Sequence, residues 1–144
     1  MEFSDVIKNR YSCKKFSSEQ IGKDKLDAIL EAGRVAPTAK NLQEQHIYVV
    51  QSESALETID KLTPCRYNAP TVLIVAFNKN NVFTYLGDKR NSGIEDATIV
   101  ATHLMLAAYN EGVDSCWINF FNPDELAKAF NLSLIHISEP TRRS

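Results

Sequence analysis

The chain has 144 residues, of which 44% are hydrophobic and 24% charged, and its formal net charge is −2. This length suits one domain, and the composition excludes a disordered, collagen-like or coiled-coil chain. The slight acidic excess argues against a nucleic-acid partner, and the sequence has no apolar run long enough for a membrane span or a secretory leader, so we expect a cytoplasmic protein.

The first half of the chain predicts helices and buried strands in alternation. Ser4 and Asp5 are expected to cap a short first helix, because their side-chain oxygens accept hydrogen bonds from free N–H groups. Apolar residues at helical spacing predict a second helix from Lys23 to about Ala36, ended by Pro37. The same criteria predict a strand at 47–50, a helix at 54–62 and a strand at 71–77.

The second half continues this alternation after a polar surface excursion at 78–92. A helix at 95–111 is apolar on most sides and is therefore expected to be buried on most sides. Gly112 stands where a left-handed C-cap is expected, and residues 116–121 predict a third strand. Asn122, followed by Pro and two acidic residues, predicts the capped start of a last helix.

The cysteines favour free thiols over any bridging or metal site. Cys13, Cys65 and Cys116 are odd in number and form no CxxC pair. Such spacing is typical neither of a disulfide framework nor of a zinc site. We therefore expect no disulfide and no metal.

A basic cluster follows the first helix and suits an anionic group. Arg10, Ser12, Lys14 and Lys15 lie within six residues. A guanidinium fork, a hydroxyl and an ammonium group together bind phosphate oxygens through charge-assisted hydrogen bonds. The alternative is a solvated basic turn with no ligand.

A second polar cluster lies in the stretch APTAKNLQ. Thr38, Lys40, Asn41 and Gln43 stand there without an apolar period. Amide and hydroxyl groups of this kind hydrogen-bond the edge of a heteroaromatic ring. An ordinary surface loop is the alternative.

Three sequence motifs, in the same order and with suitable spacing, resemble those of the FMN-dependent nitroreductase family over residues 3–132. RYSCKKF is similar to the family's RRS-x-R-x-F, and APTAKNLQ to its AP-S-x-x-N-x-Q-P-W. DATIVATHLMLAAYNEG followed by SCWI is similar to the long central helix of the dimer core and the strand after it. The chain departs from the pattern at Tyr11, where Arg or His is commoner, and at Glu44 and Gln45, which replace Pro-Trp.

The resemblance implies an α+β fold, a three-layer α/β/α sandwich with a mainly antiparallel sheet. It further implies a homodimer with two FMN sites at its interface. NAD(P)H is the implied co-substrate, and hydride transfer through FMN in a ping-pong cycle serves a small-molecule acceptor such as a nitroaromatic, a quinone or a flavin. Because the flavin carries the chemistry, no catalytic side chain is expected. Alternatives are a flavin-binding or flavin-delivery module without turnover, and a phosphate-binding domain unrelated to flavin.

The resemblance also assigns residues to the cofactor. The motif RYSCKKF would bind the flavin phosphate and ribityl chain through Arg10, Ser12 and Lys14, with Tyr11 beside them. The motif APTAKNLQ of the partner subunit would contact the flavin through Pro37, Thr38, Ala39, Asn41 and Gln43. Cys65, Trp117 and Ile118 complete the expected site, although a structural thiol at Cys65 and core packing at Trp117 are alternatives.

The last thirteen residues break the pattern of the chain. Residues 132–142, LSLIHISEPTR, resemble the translation of a sequencing-library adapter. We therefore expect residues 1–131 to be a nitroreductase-like domain that is truncated at its C-terminus, and residues 132–144 to be an artefactual tail. Family members continue with another strand and a C-terminal segment. A genuine C-terminal strand and tail is the alternative.

Overall fold

A computed structural model describes residues 1–87, 89–132 and 135–143, the last range as backbone. The helices are α1 (Phe3–Asn9), α2 (Lys23–Arg34), α3 (Glu53–Leu62), α4 (Gly93–Asn110) and α5 (Pro123–Ala129). The strands are β1 (Gln45–Val50), β2 (Thr71–Asn78), β3 (Ser115–Trp117) and β4 (Ile135–Arg143). Helices and strands alternate through most of the chain, as the apolar periods predict.

The strands form one sheet in the order β1-β2-β4-β3, and each neighbouring pair is antiparallel. Strand β2 is buried on both faces. Its successive side chains point to opposite sides of the sheet, and helices pack against each side. Leu73, Val75 and Phe77 pack with residues of α2 and α4. The residues between them pack with α3 and α5. The sheet thus lies between two helical layers, which confirms the expected α+β sandwich.

Local capping signals were predictive at some helix ends and wrong at another. Asn122 accepts hydrogen bonds from the second and third backbone N–H groups of α5, and Gly112 has a φ of 75° just after α4. Both agree with prediction. The expected caps Ser4 and Asp5 instead lie inside the first turn of α1, whose N-cap Glu2 makes no side-chain hydrogen bond. That prediction was wrong because the helix begins earlier than its apolar residues indicate.

Two predicted elements are longer than the structure allows. Helix α2 ends at Arg34 rather than Ala36, since the residue before a proline is disfavoured in the helical region and Pro37 follows closely. Strand β3 covers Ser115–Trp117 rather than 116–121, because its partner β4 ends its pairing at Trp117.

The backbone of residues 135–143 forms β4, between β2 and β3. The strand covers Ile135–Arg143. Arg143 pairs with both Thr71 and Ser115, so β4 links the two neighbouring strands. This placement concerns the path of the backbone and not the origin of the segment, so the division at residue 131 stays a prediction.

None of the helices in the described ranges is both long and apolar enough to cross a membrane.

Candidate functional site

The 10–14 segment, residues Arg10 to Lys14, is fastened to strand β3 by its backbone. The Cys13 N–H donates to the Ser115 carbonyl at 2.9 Å, and Ser12 forms a parallel bridge with Ser115. Cys13 is buried, whereas Arg10 is half-buried and Ser12 and Lys14 are exposed. A fixed backbone therefore carries two cations and a hydroxyl on an accessible surface, as an anion-binding segment requires.

Tyr11, within this segment, has a partner of its own. Its side chain is 54% exposed, and its hydroxyl is hydrogen-bonded to Asp114. This hydrogen bond and the negative charge of Asp114 raise the pKa of Tyr11. Tyr11 is thus engaged by the residue before β3 rather than by its cationic neighbours.

Beneath the segment lies a small apolar cluster that includes the cysteines. Cys13, Cys116 and Ile118 are buried there, and Cys65 packs against them. None of the three cysteines forms a disulfide among the residues that the structure describes. The structure thus brings Cys65 and Ile118 to the 10–14 segment, with the Ile118 side chain in the core.

Trp117 lies on the opposite face of β3 from its neighbours. Its ring packs against the cluster formed by α2, α4 and β2, and its Nε1–H donates to the Asn119 side chain at 3.2 Å. Side chains alternate along a strand, so Trp117 and Ile118 belong to different packing clusters. Trp117 is therefore separated from the apolar cluster beneath the 10–14 segment.

The second predicted group, the 37–44 loop, is held by hydrogen bonds within itself. The Gln43 N–H donates to the Thr38 hydroxyl at 2.9 Å, and the Gln43 amide donates to the Asn41 side chain at 3.1 Å. Lys40, Asn41 and Gln43 all have φ values between 51° and 59°. This left-handed conformation is costly for residues other than glycine, and least so for asparagine. Pro37 is exposed beside these residues.

Asp96 joins this loop to the first turn of α4. Its Oδ1 accepts the Ala39 N–H at 3.0 Å, and its Oδ2 accepts the Ser92 hydroxyl at 2.7 Å. Asp96 is buried, and a negative charge is favourable at a helix N-terminus. The predicted loop residues Thr38, Ala39, Asn41 and Gln43 are thereby brought together at this end of α4.

Glu44, at the end of the loop, was not among the predicted site residues. It is 1% exposed, and neither of its carboxyl oxygens has a hydrogen-bond donor among the described residues. Burial, and then the neighbouring Asp96, raise the pKa of Glu44 to about 7. An acidic residue directly before a buried strand was the one signal in the sequence that could have drawn attention to it.

The two predicted groups lie at opposite ends of the sheet. Ser115, which holds the 10–14 segment, shares a row of the sheet with Thr71 at the start of β2. Glu44 accepts the backbone N–H of Asn78 at the other end of β2. Seven residues of strand span about 20 Å at roughly 3.3 Å each. A single chain therefore does not bring the two groups together.

Comparison with known proteins gives a consistent result. The family model described as the nitroreductase family matches residues 7–65 and 64–138. YodC of Bacillus subtilis strain 168, provisionally named an NAD(P)H nitroreductase, is 28% identical over 167 residues, which cover 90% of this chain and 81% of its own length.

Two solved structures from Clostridium difficile are also similar. A nitroreductase family protein of strain 630 is 31% identical with a TM-score of 0.96, and the match covers 100% of this chain and 84% of that protein. An FMN-dependent nitroreductase of strain R20291 is 26% identical with a TM-score of 0.81, over 98% of this chain and 86% of its own.

Proposed function

Because the chain belongs to the nitroreductase family, we propose that it is an FMN-dependent oxidoreductase that takes its electrons from NAD(P)H. The observation that carries the proposal is the match of the family model over residues 7–65 and 64–138. The name of YodC includes NAD(P)H, and that of the R20291 protein includes FMN. Both donor and cofactor are thus supported by the names of relatives.

The residues of the 10–14 segment fit the phosphate of FMN. Arg10 offers a planar fork of N–H donors, Ser12 a hydroxyl and Lys14 an ammonium group, and all three are at least partly accessible. Backbone pairing with Ser115 holds them in place before any ligand arrives. We infer that this segment binds the phosphate and the adjoining ribityl hydroxyls, with the Cys65 and Ile118 segments nearby.

A complete site would then require a second copy of the chain. The 37–44 loop and the 10–14 segment of one chain lie toward opposite ends of β2, so one flavin would meet the loop of a partner. Apolar side chains on α1 and α4 support such a homodimer, since Phe3, Ile7, Ile94 and Ile99 are exposed. In that dimer the amides of Asn41 and Gln43 would hydrogen-bond the edge of the ring.

The protein's share of the reaction would be to bind and orient. When bound, FMN supplies the redox chemistry, taking a hydride from NAD(P)H and passing the electrons to a small-molecule acceptor in a ping-pong cycle. Arg10 and Lys14 would neutralise the phosphate, and the loop hydrogen bonds among Thr38, Asn41 and Gln43 would fix the amide groups. Nitroaromatics, quinones and flavins are the proposed acceptors.

The test is to express the chain, add FMN and measure what is retained after gel filtration. We expect a yellow protein that oxidises NADH or NADPH when menadione is supplied. A colourless protein that retains no FMN would refute the proposal. Retained FMN without NAD(P)H oxidation would instead favour a flavin-delivery module, an alternative kept open by Glu44 and Gln45 at positions where the family has Pro-Trp.

A further inference from the structure

Glu44 is a buried ionisable group that the proposed reaction does not use. Both of its carboxyl oxygens are buried without a donor from the residues that the structure describes. An ionised carboxylate in such surroundings has lost its water and gained nothing in return. The neutral acid is favoured there, and a neutral carboxylic acid is itself a hydrogen-bond donor.

Asp96 is placed to accept that proton. Asp96 lies beside the Glu44 carboxyl, whose oxygens have no hydrogen-bond partner among the described residues while both groups are ionised. The negative charge of Asp96 favours the protonated form of Glu44. Asp96 is fixed by hydrogen bonds from the Ala39 N–H and the Ser92 hydroxyl. A proton on Glu44 therefore adds a third hydrogen bond to a carboxylate that is already held on α4.

The 37–44 loop depends on such attachments. Three of its residues, Lys40, Asn41 and Gln43, have left-handed backbone conformations. Strain of this kind persists only where surrounding structure holds it. Ala39 near the start of the loop and Glu44 at its end are both attached to Asp96. The internal hydrogen bonds of the loop and the Asn78 N–H bond to the Glu44 carbonyl do not involve α4, so loss of either attachment to Asp96 would loosen the loop from that helix.

We propose that Glu44 is a positioning residue, whose carboxylic acid proton, shared with Asp96, holds the 37–44 loop on the first turn of α4 in the conformation that receives FMN. The part that concerns FMN rests on the proposed function. The loop attachment itself does not, because it is a property of the chain without cofactor.

The other charged groups near this pair belong to α4 and to the 82–92 excursion. Tyr85 donates to Glu95 at 2.5 Å, and the charge of Asp96 acts on Tyr85 as well. Arg90 lies 6.0 Å from the centre of the Tyr85 ring. Lys40, on the loop, is exposed. Asp96 is the charged group that acts on the Glu44 carboxyl.

The attachment should weaken as pH rises. The closed loop holds a proton on Glu44 up to about pH 7, whereas an open loop releases it above about pH 4.5. Raising the pH therefore favours opening until Glu44 is ionised in both states. By linkage, the open fraction should increase about tenfold between pH 6 and pH 8.

Amide hydrogen exchange of the FMN-free chain tests this directly. We expect the protection factor of the Ala39 N–H to fall about tenfold between pH 6 and pH 8. The Cys13 N–H, which donates to Ser115, is the internal reference and should not follow it. In Glu44→Gln the amide remains a donor at every pH, so Ala39 protection should become constant. An equal fall in Glu44→Gln, or no fall in the wild type, overturns the proposal.

A second measurement covers the case in which Glu44→Gln does not fold. Carboxyl ¹³C resonances of the wild-type chain give the titration of Glu44, and the Ala39 amide resonance should move with the same midpoint. A Glu44 carboxyl that titrates near 4.5 overturns the proposal without any variant.

Flavin fluorescence then separates this proposal from the proposed function. We expect the FMN affinity of the wild type, relative to that of Glu44→Gln, to fall between pH 6 and pH 8 in proportion to its fraction of closed loop. The same fall in both proteins overturns the role of Glu44 in positioning the loop for FMN. No FMN binding at any pH, together with the expected exchange data, refutes the proposed function and leaves the loop attachment standing.

Discussion

The 10–14 segment and the 37–44 loop are held in place by different means. The segment is joined to β3 by backbone pairing between Ser12, Cys13 and Ser115, which is insensitive to pH in the physiological range. The loop is joined to α4 through buried carboxyl groups and contains strained backbone. One half of the proposed flavin site is thus fixed by backbone pairing, whereas we propose that the other half depends on a proton.

The largest expected effect is the pH dependence of stability. Because the pKa of Glu44 is raised to about 7, the native chain retains a proton that the unfolded chain releases above about pH 4.5. The free energy of unfolding should therefore decrease from about pH 5 to pH 7 and level off above it, by about 3 kcal/mol in all. Urea unfolding of wild type and Glu44→Gln at several pH values measures the difference. Parallel profiles for the two proteins would contradict it.

The second largest effect on stability is expected for Gly93→Ala, at the start of α4 near the 37–44 loop. A Cβ at Gly93 would overlap the ring of Phe77, which is rigid and buried. We expect a loss of about 2 kcal/mol in the free energy of unfolding, measured by urea unfolding.

Gly33→Ala is the matched control for that substitution. A Cβ there would meet the flexible ends of Leu104 and Ile47 at 2.7 and 2.8 Å, and alanine also favours the helix. The net change should stay within about 1 kcal/mol. Equal losses at the two glycines would show that ring overlap is not the cause.

At the other end, Arg10→Ala should weaken FMN binding and leave stability unchanged. Loss of a charge-assisted hydrogen bond to phosphate corresponds to an increase in Kd of about tenfold or more. Lys15→Ala, in the same exposed stretch, is the control and should change Kd by less than about twofold. Titration of the apoprotein with FMN by fluorescence measures both values. Equal effects would place the phosphate elsewhere.

The smallest effect is expected at a site remote from both groups. Asn122→Ala removes an N-cap that accepts two backbone N–H groups of α5. We expect a loss of about 1 kcal/mol in the free energy of unfolding, with FMN affinity unchanged at both pH 6 and pH 8. A loss of FMN affinity relative to wild type at either pH would show that global stability, rather than the loop attachment, controls the site.

Features that depend on neighbouring residues were predictable from the sequence. The Asn122 cap and the left-handed Gly112 are read from a few consecutive positions. The strands β1 and β2 follow from their apolar runs, but β1 was expected to be buried and has only Val50 buried, because it lies at the edge of the sheet. Their antiparallel pairing agrees with the mainly antiparallel sheet that the resemblance implies. Local signals were misleading at Ser4, because the helix already begins at Phe3.

Features that depend on distant residues were not predictable. The Glu44 carboxyl meets Asp96, 52 positions later in the chain, and neither residue alone indicates a buried pair. The left-handed conformations of Lys40 and Gln43 follow from the attachments of the loop rather than from residue type. The separation of Trp117 from Ile118 required knowledge of which packing cluster each side chain joins at the end of β3.

The position of β4 has a consequence for the order of folding. Strand β3 reaches the remainder of the sheet through β4, and β4 is formed by residues 135–143. The antiparallel pairing of β1 with β2 is available early during synthesis, whereas the strand that pairs with Ser115 is synthesised later. Such non-local pairing slows folding, and until it is complete the edges of β2 and β3 are open to pairing with other chains. A chain cut at residue 131 would keep both edges open and is expected to aggregate.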